Sequence, residues 1–199
     1  MPLNDALPVW PGDVPFHYSR SWRIADGATV NLGSISLSVH AGTHADAPVH
    51  FREDGAAIDG LELGVFIGPA ALIDVSGRDT IRMEDIDSQA IGGAKRLLLR
   101  TDAWPDPATF PMTFPVIAPD VPAFLQSQGI VLLGLDVPSV DLFDSKNLPN
   151  HHALHRHGIQ ILESLCLKDV PPGHYELIAL PLKLEGSDGS PVRAILRSL

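Results

Sequence analysis

Short apolar runs recur along the chain between turn-forming residues, and few show the three-to-four spacing of a helix. Gly68 to Val75 (GPAALIDV), Arg96 to Arg100 (RLLLR) and Ile130 to Leu135 (IVLLGL) are nearly continuous apolar stretches of strand length. Such runs predict strands buried on both faces. Val30 to Val39 (VNLGSISLSV) alternates apolar with small polar residues and predicts a half-buried strand running straight into His40. Tyr175 to Leu184 and Val192 to Leu196 predict the last strands of the sheet. Helices are fewer. Pro119 to Gln128 (PDVPAFLQSQ) reads as one, with Asp120 placed to cap it, Pro122 in its first turn and Gly129 at its end. Met83 to Ile91 predicts a second short helix, starting near Thr80 or Arg82.

The expected fold class is therefore α/β (α+β), strand-rich with a few short helices. Residues 1–199 are expected to form one domain, a length that suits one sizeable core. Eighteen prolines and seventeen glycines are spread along the chain and mark no linker.

Composition narrows the functional classes. A net charge of −10 argues against nucleic acid or an acidic membrane surface, which need clustered Lys and Arg. No apolar run reaches the roughly 18 residues of a membrane span. The N-terminus MPLNDALPVW has neither a basic region nor an apolar core, so a signal peptide is not expected and a cytoplasmic location is. Cys166 is the single cysteine, which excludes an internal disulfide. Its place in the apolar run LESLCLKDV predicts a buried structural thiol.

The chemistry concentrates at residues 40 to 51, HAGTHADAPVHF. His40, His44, Asp46 and His50 are separated by even offsets, and an extended chain presents even offsets on one face. Gly42, Pro48 and the β-branched Thr43 disfavour a helix. Three imidazoles and a carboxylate aimed into one volume are a ligand set for a borderline metal.

A second cluster, HHALHRHGIQILE, runs from His151 to Glu163. On one unbroken helix its ends would stand about 18 Å apart, too far to share a site. Gly158 can end a helix over roughly 151–157 in the left-handed conformation, after which Ile159 to Glu163 can return extended and bring Glu163 back near His151. Asn150 is the expected N-cap. His151 and His155 share a helix face, whereas His152 and His157 point elsewhere. Glu163 follows the apolar run IQIL, where a carboxylate without a cation would be costly. Two carboxylates and several imidazoles exceed what one tetrahedral zinc needs and suit two ions sharing a bridging group.

The stretch at 40–51 closely resembles the HxGTHxDxPxH signature of the cyclase-like metal hydrolases, whose best-known members are the bacterial kynurenine formamidases (arylformamidases). PVWPGD at Pro8 to Asp13, the His151 to Glu163 segment and LIALPLKLEGSDGSPVRAIL at Leu177 to Leu196 also resemble family segments, so the likeness spans nearly the whole chain. It implies a β/β/α "swivelling" fold and a homodimer. It implies His40, His44 and Asp46 around one metal, His151 and Glu163 on the second, and Asp46 as the bridge. His151 is the implied ligand, with His152 the fallback. Two Zn²⁺ per subunit are implied, with Mn²⁺ the alternative, activating water and polarising a carbonyl.

His50 is implied as the general acid/base, or alternatively a fourth ligand of the first metal. Thr43 is read as shaping the backbone or steadying a ligand. Trp10 is implied as a wall for an aromatic formanilide, with a core or interface position as its alternative. Trp22 and Trp104 lie outside the matching segments and are read as structural, while Phe51, Phe66 and Phe143 are unranked pocket candidates. Family members usually begin with several more residues forming a first strand, so either this sequence starts late or that edge strand is absent. Such an enzyme would release L-kynurenine and formate from N-formyl-L-kynurenine in tryptophan degradation. Hydrolysis of a cyclic amide such as isatin, and a non-catalytic metal-binding or ligand-binding role, are the competing readings. No G-x-S-x-G elbow, G-x-G-x-x-G or P-loop is present.

Overall fold

The computed structural model describes all 199 residues. The strands are β1 (His17–Trp22), β2 (Leu32–Ser36), β3 (His44–Asp46), β4 (Ile67–Asp74), β5 (Thr80–Ile81), β6 (Arg96–Arg100), β7 (Val116–Ile117), β8 (Leu132–Leu135), β9 (Gln160–Glu163), β10 (Gly173–Ile178), β11 (Gly189–Pro191) and β12 (Ile195–Ser198). Three α-helices join them, α1 (Ser88–Ile91), α2 (Val121–Ser127) and α3 (Pro149–Arg156). Eight strands form one sheet in the order β11-β3-β9-β8-β6-β4-β10-β12. Its centre, β4-β6-β8-β9, is parallel. β3 and β11 add antiparallel strands on one side, β10 and β12 on the other.

The continuous apolar runs are explained by burial on both faces. Leu97 and Leu99 of β6 point into a core shared with Ile91, Leu125 and Leu154 of the three helices. Leu98, between them, points into a second core with Phe66, Leu165 and Leu177. The helices therefore cover one sheet face, as parallel crossovers require. That face carries the chemistry. Ala45 and Leu162 belong to the second core. Strand alternation accordingly turns His44, Asp46 and Glu163 to the helical side, beneath α3.

Several expectations change. The strand expected at Val30 to Val39 is only β2, ends four residues before His40, and is exposed at every position. It pairs with β1 alone as a projecting two-stranded ribbon, so neither face meets a core. Met83 to Ile91 is not one helix but a 3₁₀ turn over Met83–Asp85 and the single turn α1. Asp87 caps α1, accepting from the Gln89 N–H at 2.8 Å. Tyr175 to Leu184 pairs only as far as Ile178, with Pro181 soon after, and the last strand starts at Ile195. α2 forms as expected, with Pro122 in its first turn and Gly129 left-handed at φ 76°, but the Asp120 side chain makes no cap hydrogen bond. Cys166 is exposed. Leu165 and Leu167 take the inward positions on either side of it, and the extended period of two sends the thiol out.

Candidate metal centre and the comparisons that place it

Residues 40 to 50 do not form one strand. His40 lies in a turn, Gly42 has φ 65°, β3 contributes His44 and Asp46, and Pro48–His50 is a 3₁₀ turn. The chain bends around a point rather than presenting a flat face. The sheet register sets His44 directly opposite Glu163. The return at Gly158 occurs as predicted, with φ 70°, and β9 delivers Glu163.

Six predicted residues, His40, His44, Asp46, His50, His151 and Glu163, converge. Asp46 is the hub. Its Oδ1 lies 3.0 Å from His40 Nδ1 and 3.3 Å from His44 Nε2, while its Oδ2 lies 3.4 Å from His151 Nε2. Glu163 reaches His44 Nε2 at 3.5 Å and His151 Nε2 at 3.7 Å. The His50 ring centroid stands 4.0 Å from that of His40. Between His151 and His152 the fold decides plainly. His151 is buried against the two carboxylates, whereas the His152 ring packs edge-on to Phe51. His155 is half-exposed and also contacts Phe51, and His157 Nδ1 lies 2.8 Å from Gln126 Oε1, so neither reaches the cluster.

Asn150 is not the N-cap of α3. Leu148, at φ 41°, holds that position, and Asn150 lies inside the first turn. Its amide instead donates to the carbonyls of Ile117 and Val140. Asp141 acts as the cap from outside the segment. It accepts from the N–H groups of Asn150 and His151, and its Oδ2 lies 2.7 Å from His151 Nδ1. That carboxylate fixes the ring so that Nε2 faces Asp46, the arrangement expected behind a metal-binding imidazole.

Charge states follow from this packing. Burial opposes charge on His40, but its bonds to Asp188 and Asp46 prevail and raise its pKa to about 9. His44 and His151 are likewise raised to about 10, through Asp46 with Glu163 and through Asp141 with Asp46 respectively. Burial would raise Asp46, yet the three imidazoles hold it well below the usual carboxylate range. Glu163 moves up, pushed by burial and by the charge on Asp46. The residues fit metal ions on a further observation. Asp46 Oδ2 is buried without a hydrogen-bond partner, and the donor atoms of His44, Asp46 and Glu163, and of His40, Asp46 and His50, lie within 4.8 Å of one another. A cation would satisfy the orphaned oxygen and replace the protons on the imidazoles.

The cluster floors a cavity of about 270 Å³. Trp10 lines it as predicted, stacked on Phe143 with centroids 4.8 Å apart and meeting Phe110 edge-on at 5.4 Å. Trp104, read as structural from the sequence, lines the cavity with Phe110. Of the other phenylalanines, Phe66 is core, Phe51 packs on the α3 histidines, and Phe143 backs Trp10. Thr43 steadies no ligand. Its hydroxyl donates to the Ser164 carbonyl at 2.7 Å, tying β3 to the residue after Glu163. Phe110, Asp141 and Asp188 were missed by sequence reasoning. Asp188 lies in the Leu177 to Leu196 segment that resembles the family, but no role was read for it there.

The parallel-centred sheet gathers His, Asp and Glu donors at the C-terminal end of β9, and solved structures described as metal-dependent hydrolases share this fold. A family model, "Putative cyclase", matches residues 1–142. The kynurenine formamidase of Geobacillus thermodenitrificans is 48% identical over 197 residues, covering 99% of this chain and 94% of its own. The chain belongs to this family. A predicted metal-dependent hydrolase from Bacillus stearothermophilus superimposes with a TM-score of 0.82 at 31% identity, covering 98% of this chain and 94% of its own. Isatin hydrolase A from Labrenzia aggregata does so with a TM-score of 0.84 at 27% identity, covering 98% and 90%.

Proposed function

We propose that this protein hydrolyses N-formyl-L-kynurenine to L-kynurenine and formate. The observation that carries the reading is the ring of His and carboxylate donors around the orphaned Asp46 Oδ2, opening into an aromatic-walled cavity. The similarity to kynurenine formamidases over nearly the full chain chooses the substrate. His40, His44 and Asp46 would hold one Zn²⁺, and His151 and Glu163 the second, with Asp46 shared. Bound metal supplies acidification of water and polarisation of the formyl carbonyl.

The chain's own residues do the rest. Trp10, braced by Phe143 and Phe110, offers a flat face for the substrate's aromatic ring. His50 is 33% exposed on the cavity wall, and burial together with the charge on His40 lowers its pKa. It is therefore neutral near pH 7 and able to accept a proton. It takes one from the water that attacks the formyl carbon. It returns that proton to the aniline nitrogen as the C–N bond breaks.

We read residues 1–199 as one cytoplasmic domain that works as a homodimer. One sheet spans most of the chain, and the only thiol is unpaired. The β1–β2 ribbon exposes Trp22 at 57% and Ile35 at 59%, and an isolated two-stranded ribbon needs such cover. No helix is long and apolar enough to cross a membrane. The likeness to isatin hydrolase A supports a second reading, a cyclic amide as substrate on the same residues.

The deciding experiment follows kynurenine release from N-formyl-L-kynurenine by metal-analysed protein, before and after chelation, beside isatin. Turnover abolished by chelation and restored by Zn²⁺ supports the proposal. Faster turnover of isatin transfers it to the cyclic amide.

A further inference from the structure

Asp188 lies outside the predicted ligand set, in the run EGSDGS that no mechanistic role has absorbed. It sits immediately before β11, which pairs with β3. Its backbone carbonyl accepts from the Ala47 N–H at 2.9 Å, which locks it to the turn carrying His50. One carboxylate oxygen then serves two rings. Asp188 Oδ2 lies 3.0 Å from His40 Nε2 and 3.4 Å from His50 Nδ1. The approach depends on the next residue being glycine, because a Cβ on Gly189 would come within 2.8 Å of the His40 ring.

We propose that Asp188 is a positioning residue that fixes the tautomer and orientation of His50, and that it does so from the oxygen it shares with His40. A carboxylate oxygen only accepts, so the nitrogen facing it carries the hydrogen. Neutral His50 is then the Nδ1–H form, with its lone pair on Nε2 at the opposite edge of the ring. A base needs that lone pair, and the other tautomer would place a hydrogen there instead. Asp188 is suited to the task because its backbone is tied to Ala47 and one of its carboxylate oxygens faces both rings. The shared oxygen also ties the His40 and His50 rings to one carboxylate. This inference rests on His50 being the base in the hydrolysis proposed above.

The test compares wild type with Asp188→Asn and Asp188→Glu, all loaded with Zn²⁺. An asparagine can turn its NH₂ to the rings and reverse the tautomer, while glutamate keeps the acceptor. The expected result for Asp188→Asn is a kcat about 10²- to 10⁴-fold lower, with KM for N-formyl-L-kynurenine within about threefold and metal content unchanged. Asp188→Glu should recover part of the rate. Two-bond ¹H–¹⁵N spectra at pH 8 should show His50 as the Nδ1–H form in wild type and Asp188→Glu, and as the Nε2–H form or a mixture in Asp188→Asn. Wild-type kcat in Asp188→Asn, an unchanged tautomer, or a loss of metal matching the loss of rate would each overturn the proposal. If wild type leaves N-formyl-L-kynurenine intact, the substrate reading fails while the tautomer spectra still decide the role of Asp188.

Discussion

Asp46 is the residue on which the site turns. It contacts three imidazoles, shares His44 and His151 with Glu163, and holds a buried oxygen that no protein group satisfies. Removing it would leave His44 and His151 facing Glu163, and His40 facing Asp188. Asp46→Ala should lose both metal and turnover, with kcat/KM at least about 10³-fold lower, the order expected when a metal's charge stabilisation is withdrawn. Metal analysis beside a kinetic assay checks this, and full activity with full metal would refute the assignment. Trp10 predicts a different signature. Its stack on Phe143 and edge contact with Phe110 bear on binding rather than on the proton transfer. Trp10→Ala should therefore raise KM by roughly tenfold or more, equivalent to one aromatic contact of 0.5–1.5 kcal/mol plus lost burial, with a smaller effect on kcat. At this scale the sequence was highly legible. Every predicted ligand reaches the cluster, because the spacing of His40, His44 and Asp46 and the break at Gly158 are local properties.

At the scale of elements, α3 and its cap show what local patterns miss. The sequence offered Asn150 as the cap, but Asp141 fills that role from ten residues before His151. Burial would raise Asp141, yet the bond from His151 and the two backbone N–H groups lower it. A carboxylate depressed in the folded state contributes stability above its unfolded pKa of about 4, and that contribution is lost as pH falls through the folded value. Asp141→Ala should destabilise the protein by about 3–5 kcal/mol, since it strips the acceptor from a buried cation and two buried N–H groups. Thermal melts from pH 3 to pH 7 should show the variant's deficit shrinking towards acid. A constant deficit would mean the carboxylate acts only by packing. The ribbon gives the opposite lesson. Its alternation at 32–36 does make a strand, but alternation reports a half-buried face only where a core exists to receive it.

For the whole molecule, the site concentrates carboxylate charge that metal ions or imidazole protons must balance. Without metal, His40, His44 and His151 take protons, with pKa values raised to about 9, 10 and 10. A raised folded pKa contributes stability that is complete below the unfolded value of about 6.5 and is lost as pH climbs through the folded value. Chelated protein should therefore melt at progressively lower temperature between about pH 7 and pH 10. Zn²⁺, which requires deprotonated imidazoles, should raise Tm more at pH 9 than at pH 6. Calorimetry with and without chelator checks both arms, and a Zn²⁺ shift that shrinks as pH rises would contradict the picture.

The sequence by itself determined which histidines and carboxylates gather in one cluster, the strand-rich class, the buried central strands and the turn that returns Glu163. Each of these rests on side-chain period, local spacing or a glycine's conformational freedom, all properties of neighbouring residues. Only the tertiary structure decided that His151 rather than His152 faces the carboxylates, that Trp104 and Phe110 join Trp10 in the cavity wall, that Cys166 is exposed, and that Asp141 and Asp188 stand behind the histidines. His40 and Asp188 are 148 residues apart in the chain. They meet because β11 pairs with β3 at the sheet edge, a register fixed by the packing of two cores and written in no local pattern.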